Sequence, residues 1–224
     1  QEKSRVLKTK EEELHVLNKI KNEKTDISRQ LFREEKRIKK DLKEKEEIKE
    51  KLNRKIRQII EEEIKKLRVE NSNKTYALTP EAIMLSKEFV SNKGSLPWPL
   101  SNGIIVGYYG KQKHSIFSGV ETFNNGIDIA TDPGAKVRAI FDGKVSRIFL
   151  IKGEGKVVLI NHGKYFSVYS GLSELSVEMG EKVYSKQQIG VVMTNQDQEK
   201  THLHFEIWKN YEKQNPSHWL YRAD

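Results

Sequence analysis

The first 70 residues contain neither proline nor glycine; all five prolines and all 14 glycines lie beyond them. A stretch that long without a breaker can run as one helix, about 100 Å long at ~1.5 Å per residue. Apolar residues recur in it at three- and four-residue steps: Leu7, Leu14, Leu17 and Ile20, then Ile27, Leu31, Ile38 and Leu42. The series continues through Leu52, Ile56, Ile59 or Ile60, Ile64 and Leu67. This is a heptad seam, broken where Lys10, Lys24 and Lys45 fall on it. So narrow a stripe cannot bury itself, and it predicts a partner: a second copy, a returning helix or another protein.

The rest of the chain is built differently. Of 19 aromatic residues only Phe32 lies in the first 70, so a polar helical arm precedes a compact core. The net charge of +9 is spread through mixed-sign runs such as Glu44-Lys45-Glu46-Glu47-Ile48-Lys49, which read as a solvated helix surface. A nucleic-acid binder needs a one-signed stripe with interleaved aromatics, which the arm lacks. There are no cysteines, which excludes disulfides and thiol chemistry. No run of 18 apolar residues occurs. The chain opens inside a charged helical pattern without Met or a signal segment, which reads as a fragment whose targeting segment was removed.

Asn71-Ser72-Asn73 is expected to break the arm. A short helix then starts at Thr79-Pro80-Glu81, with Thr79 as N-cap and Pro80 in the first turn. It runs through Ile83, Met84, Leu85 and Phe89 to about Asn92, where Gly94 stops it. The expected organisation is an arm over 1–70, a linker with this helix over 71–95, and a globular domain over 96–224.

In that domain the hydrophobic period changes to two. Candidate strands are 103–109, 126–130, 136–141, 144–150, 156–161, 166–170 and 202–208. Glycine turns separate them, and Asp142-Gly143 reads as a hairpin mark. Many short strands with almost no helix predict a mainly antiparallel β domain. Strand alternation puts His202 and His204 of Thr201-His202-Leu203-His204 on one face, where they can converge on a metal or substrate. Upstream lie Asn124-Asn125-Gly126-Ile127-Asp128, a Gly-x-x-Val-x-Ala-x-x-x-Gly-x-Val run from Gly134 to Val145, Tyr169-Ser170-Gly171-Leu172 and Gln188-Ile189-Gly190.

That ordered series resembles the LytM/lysostaphin family of zinc endopeptidases over roughly residues 97–220. The resemblance implies a duplicated hybrid-motif β domain. It also implies zinc ligands at Asn124, Asp128 and His204, and catalytic histidines at His202 and Gly171. Two of these five positions do not carry the family's residue. Asn124 offers a neutral amide where zinc takes an imidazole, and Gly171 has no side chain to move a proton or stabilise an oxyanion. The expectation is a pseudoenzyme without zinc, in which Asp128, His202 and His204 hydrogen-bond as a polar groove floor. His162 reads as a turn histidine, and His114 and His218 as loop residues.

With its helical arm and short helix, the chain also resembles the EnvC-type murein hydrolase activators. That likeness implies an exported protein of the periplasm or cell envelope that regulates a peptidoglycan amidase (an N-acetylmuramoyl-L-alanine amidase) in daughter-cell separation. An inner-membrane division complex would act on the coiled coil. The expected amidase groove comprises Asn124, Asp128, Tyr169, His202 and His204. The helix bearing Ile83, Met84, Leu85 and Phe89 either packs on the domain's flank or masks that groove. An active zinc endopeptidase and a non-catalytic peptidoglycan-binding module are the alternatives.

Overall fold

The computed structural model describes residues 2–69, 79–113, 121–151, 154–195 and 200–223. The Asn71-Ser72-Asn73 break, Gly153 and His114 lie outside these. Among the described residues, helix α1 (Glu2–Val69) is followed by α2 (Pro80–Ser91) and thirteen strands. These are β1 (Ile104–Gly107), β2 (Gly110–Lys113), β3 (Glu121–Asn124), β4 (Ile127–Ala130), β5 (Lys136–Arg138), β6 (Gly143–Ile151) and β7 (Gly155–Asn161). Then come β8 (Tyr165–Leu175), β9 (Lys182–Val183), β10 (Gln188–Val192), β11 (Thr194–Asn195), β12 (Lys200–Lys209) and β13 (Glu212–Gln214). The result is a mainly antiparallel β fold with a long N-terminal helix and a short second one.

The chain forms two compact units, Gln1–Arg54 and Lys55–Asp224. In the first, α1 is laced by exposed pairs such as Lys39–Glu35 at 2.6 Å and Arg29–Asp26 at 3.6 Å, while Leu14, Leu17, Ile20, Ile27 and Leu31 stay exposed. Such surface pairs add little each, so they do not by themselves hold the helix.

In the second unit the main sheet runs β1-β4-β12-β8-β7-β6-β9, with β10 pairing both β5 and β8. One face carries the main core: Ile127, Ile129, Val158, Ile160, Tyr165, Tyr169, Leu203, Phe205 and Ile207. The alternate residues Val157, Leu159, Phe166, Val168 and Trp208 point the other way and are also buried. Both faces of β7 are therefore covered, which explains its unbroken apolar run Val157-Val158-Leu159-Ile160. The end of α1 lies on this second face. The Lys55 ammonium sits 4.6 Å from the Phe149 ring centre, and Glu62 pairs with Arg147 at 3.5 Å. Phe149 and Arg147 oppose Val157 and Leu159 in the β6–β7 register. Ile56, Ile59, Ile60 and Ile64 are buried, each stabilising by roughly 1.5–3 kcal/mol relative to exposure. The boundary between the compact units accordingly falls inside α1 and not near residue 70.

Helix α2 is capped as its sequence suggests: the Thr79 hydroxyl accepts from Ala82 N at 3.2 Å, with Pro80 opening the first turn. It does not lie in the groove. Its buried face is Ala82, Ser86 and Phe89, whereas Ile83 and Met84 are exposed and Leu85 is half-buried. Phe89 stacks on His162 and Tyr165, each at 5.0 Å, and also meets Trp219 and Phe141. Ser86 Oγ accepts from Lys164 N at 2.8 Å. Tyr165 pairs with Lys209 and Ser170 with His204, so α2 docks five strand positions, about 17 Å, from the histidine row.

One local expectation changes. Asp142-Gly143 closes no hairpin, because β5 pairs with β10 while β6 pairs with β7 and β9. Gly143 is needed for close approach instead: a Cβ there would stand 2.5 Å from Asn161 O and 2.7 Å from His162 Nδ1. His162 stands in the turn between β7 and β8 as expected, but it is fully buried, donating from Nδ1 to Asp142 O at 2.6 Å and accepting at Nε2 from Ser167 Oγ at 2.7 Å.

Burial pushes the His162 pKa down to about 4, the contact with Asp142 offsetting only part of the effect. Between pH 6.5 and about 4 the unfolded chain takes up a proton that the folded chain refuses. The stability present above pH 6.5 is therefore lost as pH falls through that window, by up to about 3 kcal/mol. Urea unfolding at pH 7 and 4.5 is expected to show this loss, and His162→Gln, which cannot titrate, to flatten it.

Candidate functional site

The site is built where β4, β12 and β8 run side by side. Register sets Asp128 opposite His204, and His204 opposite Ser170. Strand alternation then places His202, His204, Glu206 and Trp208 along one line of β12. The line runs from solvent inward: His202 is exposed, the His204 side chain is 21% exposed, and Glu206 and Trp208 are buried.

His204 is held at both ring nitrogens. Nδ1 donates to Asp128 Oδ1 at 2.7 Å and Nε2 donates to Glu206 Oε1 at 2.9 Å. Trp208 Nε1 donates to Glu206 Oε2 at 2.6 Å, so both oxygens of the buried carboxylate are satisfied. Lys213 closes the inner end, its ammonium 5.1 Å from the Trp208 ring centre and 2.6 Å from Asn125 Oδ1. Burial opposes charge on the imidazole, but the hydrogen bonds and charges of Asp128 and Glu206 outweigh it and push the pKa up to about 10. At neutral pH His204 is an imidazolium clamped between two carboxylates.

Asn124 completes the outer end. Its amide nitrogen donates to Asp128 Oδ2 at 2.8 Å, and its carbonyl oxygen accepts from Gly126 N at 3.2 Å. Chemistry fixes this orientation, since a carboxylate only accepts and a backbone N–H only donates. The amide group turned toward Asp128 is therefore an NH2, which has no lone pair for a metal. Zinc requires deprotonated ligands, and three of them in a catalytic site. Of the three positions assigned to zinc, only Asp128 and His204 have suitable atoms, and the proton on His204 Nδ1 lies between them. Among the described residues, no group of three or more His, Cys, Asp or Glu is arranged to hold a metal. The donor set does not fit a three-ligand zinc centre.

Gly171 sits on β8 at a register break between Val157↔Ser170 and Lys156↔Leu172, with φ +88°. A histidine there would be strained by its backbone as well as new to the site. Of the five positions expected to line the groove, Asn124, Asp128, His202 and His204 come together and Tyr169 does not. Tyr169 opposes Phe205, packs on its ring at 5.2 Å, and its hydroxyl accepts from Ile140 N at 3.0 Å in the main core. Burial pushes that hydroxyl's pKa further above its ordinary value. Its neighbour Ser170 holds the groove-side position, 6% exposed and with no hydrogen-bond partner for its hydroxyl. Glu206 and Trp208 escaped sequence reasoning, although the alternation that joined His202 to His204 extends to both.

Residues 122–216 match Peptidase family M23. The chain is 32% identical over 131 residues to the murein hydrolase activator EnvC of Escherichia coli K12, covering 58% of this chain and 30% of EnvC. It is 37% identical over 110 residues to stage II sporulation protein Q of Bacillus subtilis, covering 44% of this chain and 39% of that protein. An uncharacterized metalloprotease of Haemophilus influenzae is 27% identical over 128 residues, covering 55% of this chain and 27% of that protein. The chain thus spans less than half the length of these relatives. Among solved structures, the SpoIIQ–SpoIIIAH pore-forming complex is similar with TM-score 0.49 at 26% identity, over 58% of this chain and 93% of that one. Lysostaphin follows with TM-score 0.46 at 27% identity, over 55% and 52% respectively.

Proposed function

We propose that this M23 domain holds no zinc, cuts nothing, and uses the site-bearing face to bind and activate a peptidoglycan amidase in the cell envelope. The observation that carries the reading is the amide NH2 of Asn124 turned onto Asp128 while a proton joins Asp128 to His204. With the metal-facing atoms occupied by each other, no metal ion is held to activate water for His202. Gly171 removes the second imidazole, a loss of about 10²–10⁴ in rate by itself. The likeness to EnvC, a murein hydrolase activator, supplies the class of partner.

The element that shares this face in the free protein is the end of α1. Helix α2 stays docked on the flank, and an amidase reaching inward past His202 competes with Ile56, Ile59, Ile60 and Ile64. This is a population shift between covered and open states, with the amidase binding the open one. Ile60→Asp places a charge in the apolar layer and favours the open state. The expected result is a several-fold rise in amidase activation with faster amide exchange over residues 55–65. Unchanged activation with faster exchange would show that α1 does not govern access.

The reading is tested by dye release from labelled sacculi with purified amidase, with this chain, and with both. Release by the mixture well above the amidase alone is expected, with none from the chain alone. Soluble cross-bridge fragments from the chain alone would favour a working endopeptidase. Sedimentation of the chain with sacculi but no gain in release would favour a peptidoglycan-binding module.

A further inference from the structure

The exposed seam of α1 within the Gln1–Arg54 unit carries information about what covers it. Leu17, Ile20, Ile27, Leu31 and Ile38 are all exposed, from 36% to 64%. With Leu17, Lys24, Leu31, Ile38 and Lys45 at the a positions, the d positions are Glu13, Ile20, Ile27, Glu34 and Asp41. The seam's bases therefore stand at a and its acids at d.

That asymmetry discriminates between occupants. In a parallel, in-register pair, a meets a and d meets d. Lys24 and Lys45 would each face their own copies, as would Glu13, Glu34 and Asp41, and like charges in a seam repel. In an antiparallel pair, a meets d. When Leu31 stands opposite Ile27 of the second copy, the layers outward read Lys24 with Glu34, Ile38 with Ile20, and Lys45 with Glu13. A two-fold axis repeats each of these layers. Leu17 opposite Asp41 is the one mismatch between Glu13 and Lys45. Slipping by one heptad sets Lys24 against Ile27 in one direction, and Leu31 against Glu34 in the other.

We propose that the first unit of α1 pairs antiparallel with a second copy of this chain, in the register that sets Leu31 against Ile27. The acid–base layers specify direction and register, and the isoleucine and leucine layers supply the apolar burial. Because charged layers replace part of the apolar seam, the pair is reversible and sensitive to salt.

The chain has no cysteine, so introduced thiols report cleanly. Lys24→Cys and Glu34→Cys are made separately in the full chain, mixed, and oxidised under mild conditions. The mixed disulfide dimer is expected to dominate. Homodimers outnumbering it would overturn the antiparallel register, and a monomer at every concentration up to about 0.5 mM in sedimentation would overturn self-pairing altogether. Charge reversal provides an arm without cross-links. Glu34→Lys is expected to weaken association about tenfold or more, and Lys24→Glu in the same chain to restore it. Failure of that rescue contradicts the register, since a parallel pair would gain nothing from the second change.

Discussion

Replacing Glu206 by alanine is expected to cost about 3–5 kcal/mol of stability, one of the two largest losses from a single change in this domain. The carboxylate is 1% exposed and accepts from both His204 and Trp208. Its removal leaves an imidazolium facing a void and an indole N–H without an acceptor. Glu206→Gln keeps the shape but can satisfy only one of the two donors with its single carbonyl, so a loss of about half that size is expected. The pH dependence carries a second signature. The folded pKa of His204 is raised to about 10, so the stability it contributes is complete below pH 6.5 and is lost as pH rises through 10. Urea unfolding between pH 7 and 10 should show that fall in the wild type and little of it in Glu206→Ala. An alanine variant with unchanged stability and unchanged alkaline slope would mean that the clamp does not hold His204.

Phe89→Ala is the other large effect, also about 3–5 kcal/mol, because the ring is fully buried among His162, Tyr165, Trp219 and Phe141. This size separates two views of α2. A detachable cover gives up little stability when its anchor is cut, and its loss raises partner binding. A structural clasp unfolds part of the domain and activates nothing. Helix α2 holds the Tyr165 end of β8 and the Trp219 turn together, so the expected outcome is a lower urea midpoint with no gain in amidase activation. Met84→Ala, on the exposed side of the same helix, should be nearly neutral.

Much of the fold was legible in the chain, for reasons that also mark where legibility stopped. Period-two patterning located β4, β6, β7, β8 and β12, and the lack of breakers located α1. Of the site's residues, His202 and His204 followed from alternation along β12, where they share a face whatever packs around them, while Asn124 and Asp128 came from the family resemblance. Tyr169 failed because its place came from a motif and not from register: Ser170 is the residue opposite His204, and one step along a strand reverses the face. Helix α2 packs on the flank, the first of its two expected places, but Ile83 and Met84 do not make the contact; small Ala82 and Ser86 allow the close approach. Their signal is size, and hydrophobicity does not show it. The end of α1 did carry a signal in its sequence. Isoleucines crowd together at 56, 59, 60 and 64, making the stripe there wider than a two-residue seam, as a helix lying on a sheet requires.

The central claim concerns the atoms around Asp128, and calorimetric titration of zinc into the full chain at neutral pH tests it most directly. No stoichiometric binding is expected, with the same small heats in wild type and His204→Ala. One zinc bound per chain at submicromolar affinity, abolished by His204→Ala, would contradict the account.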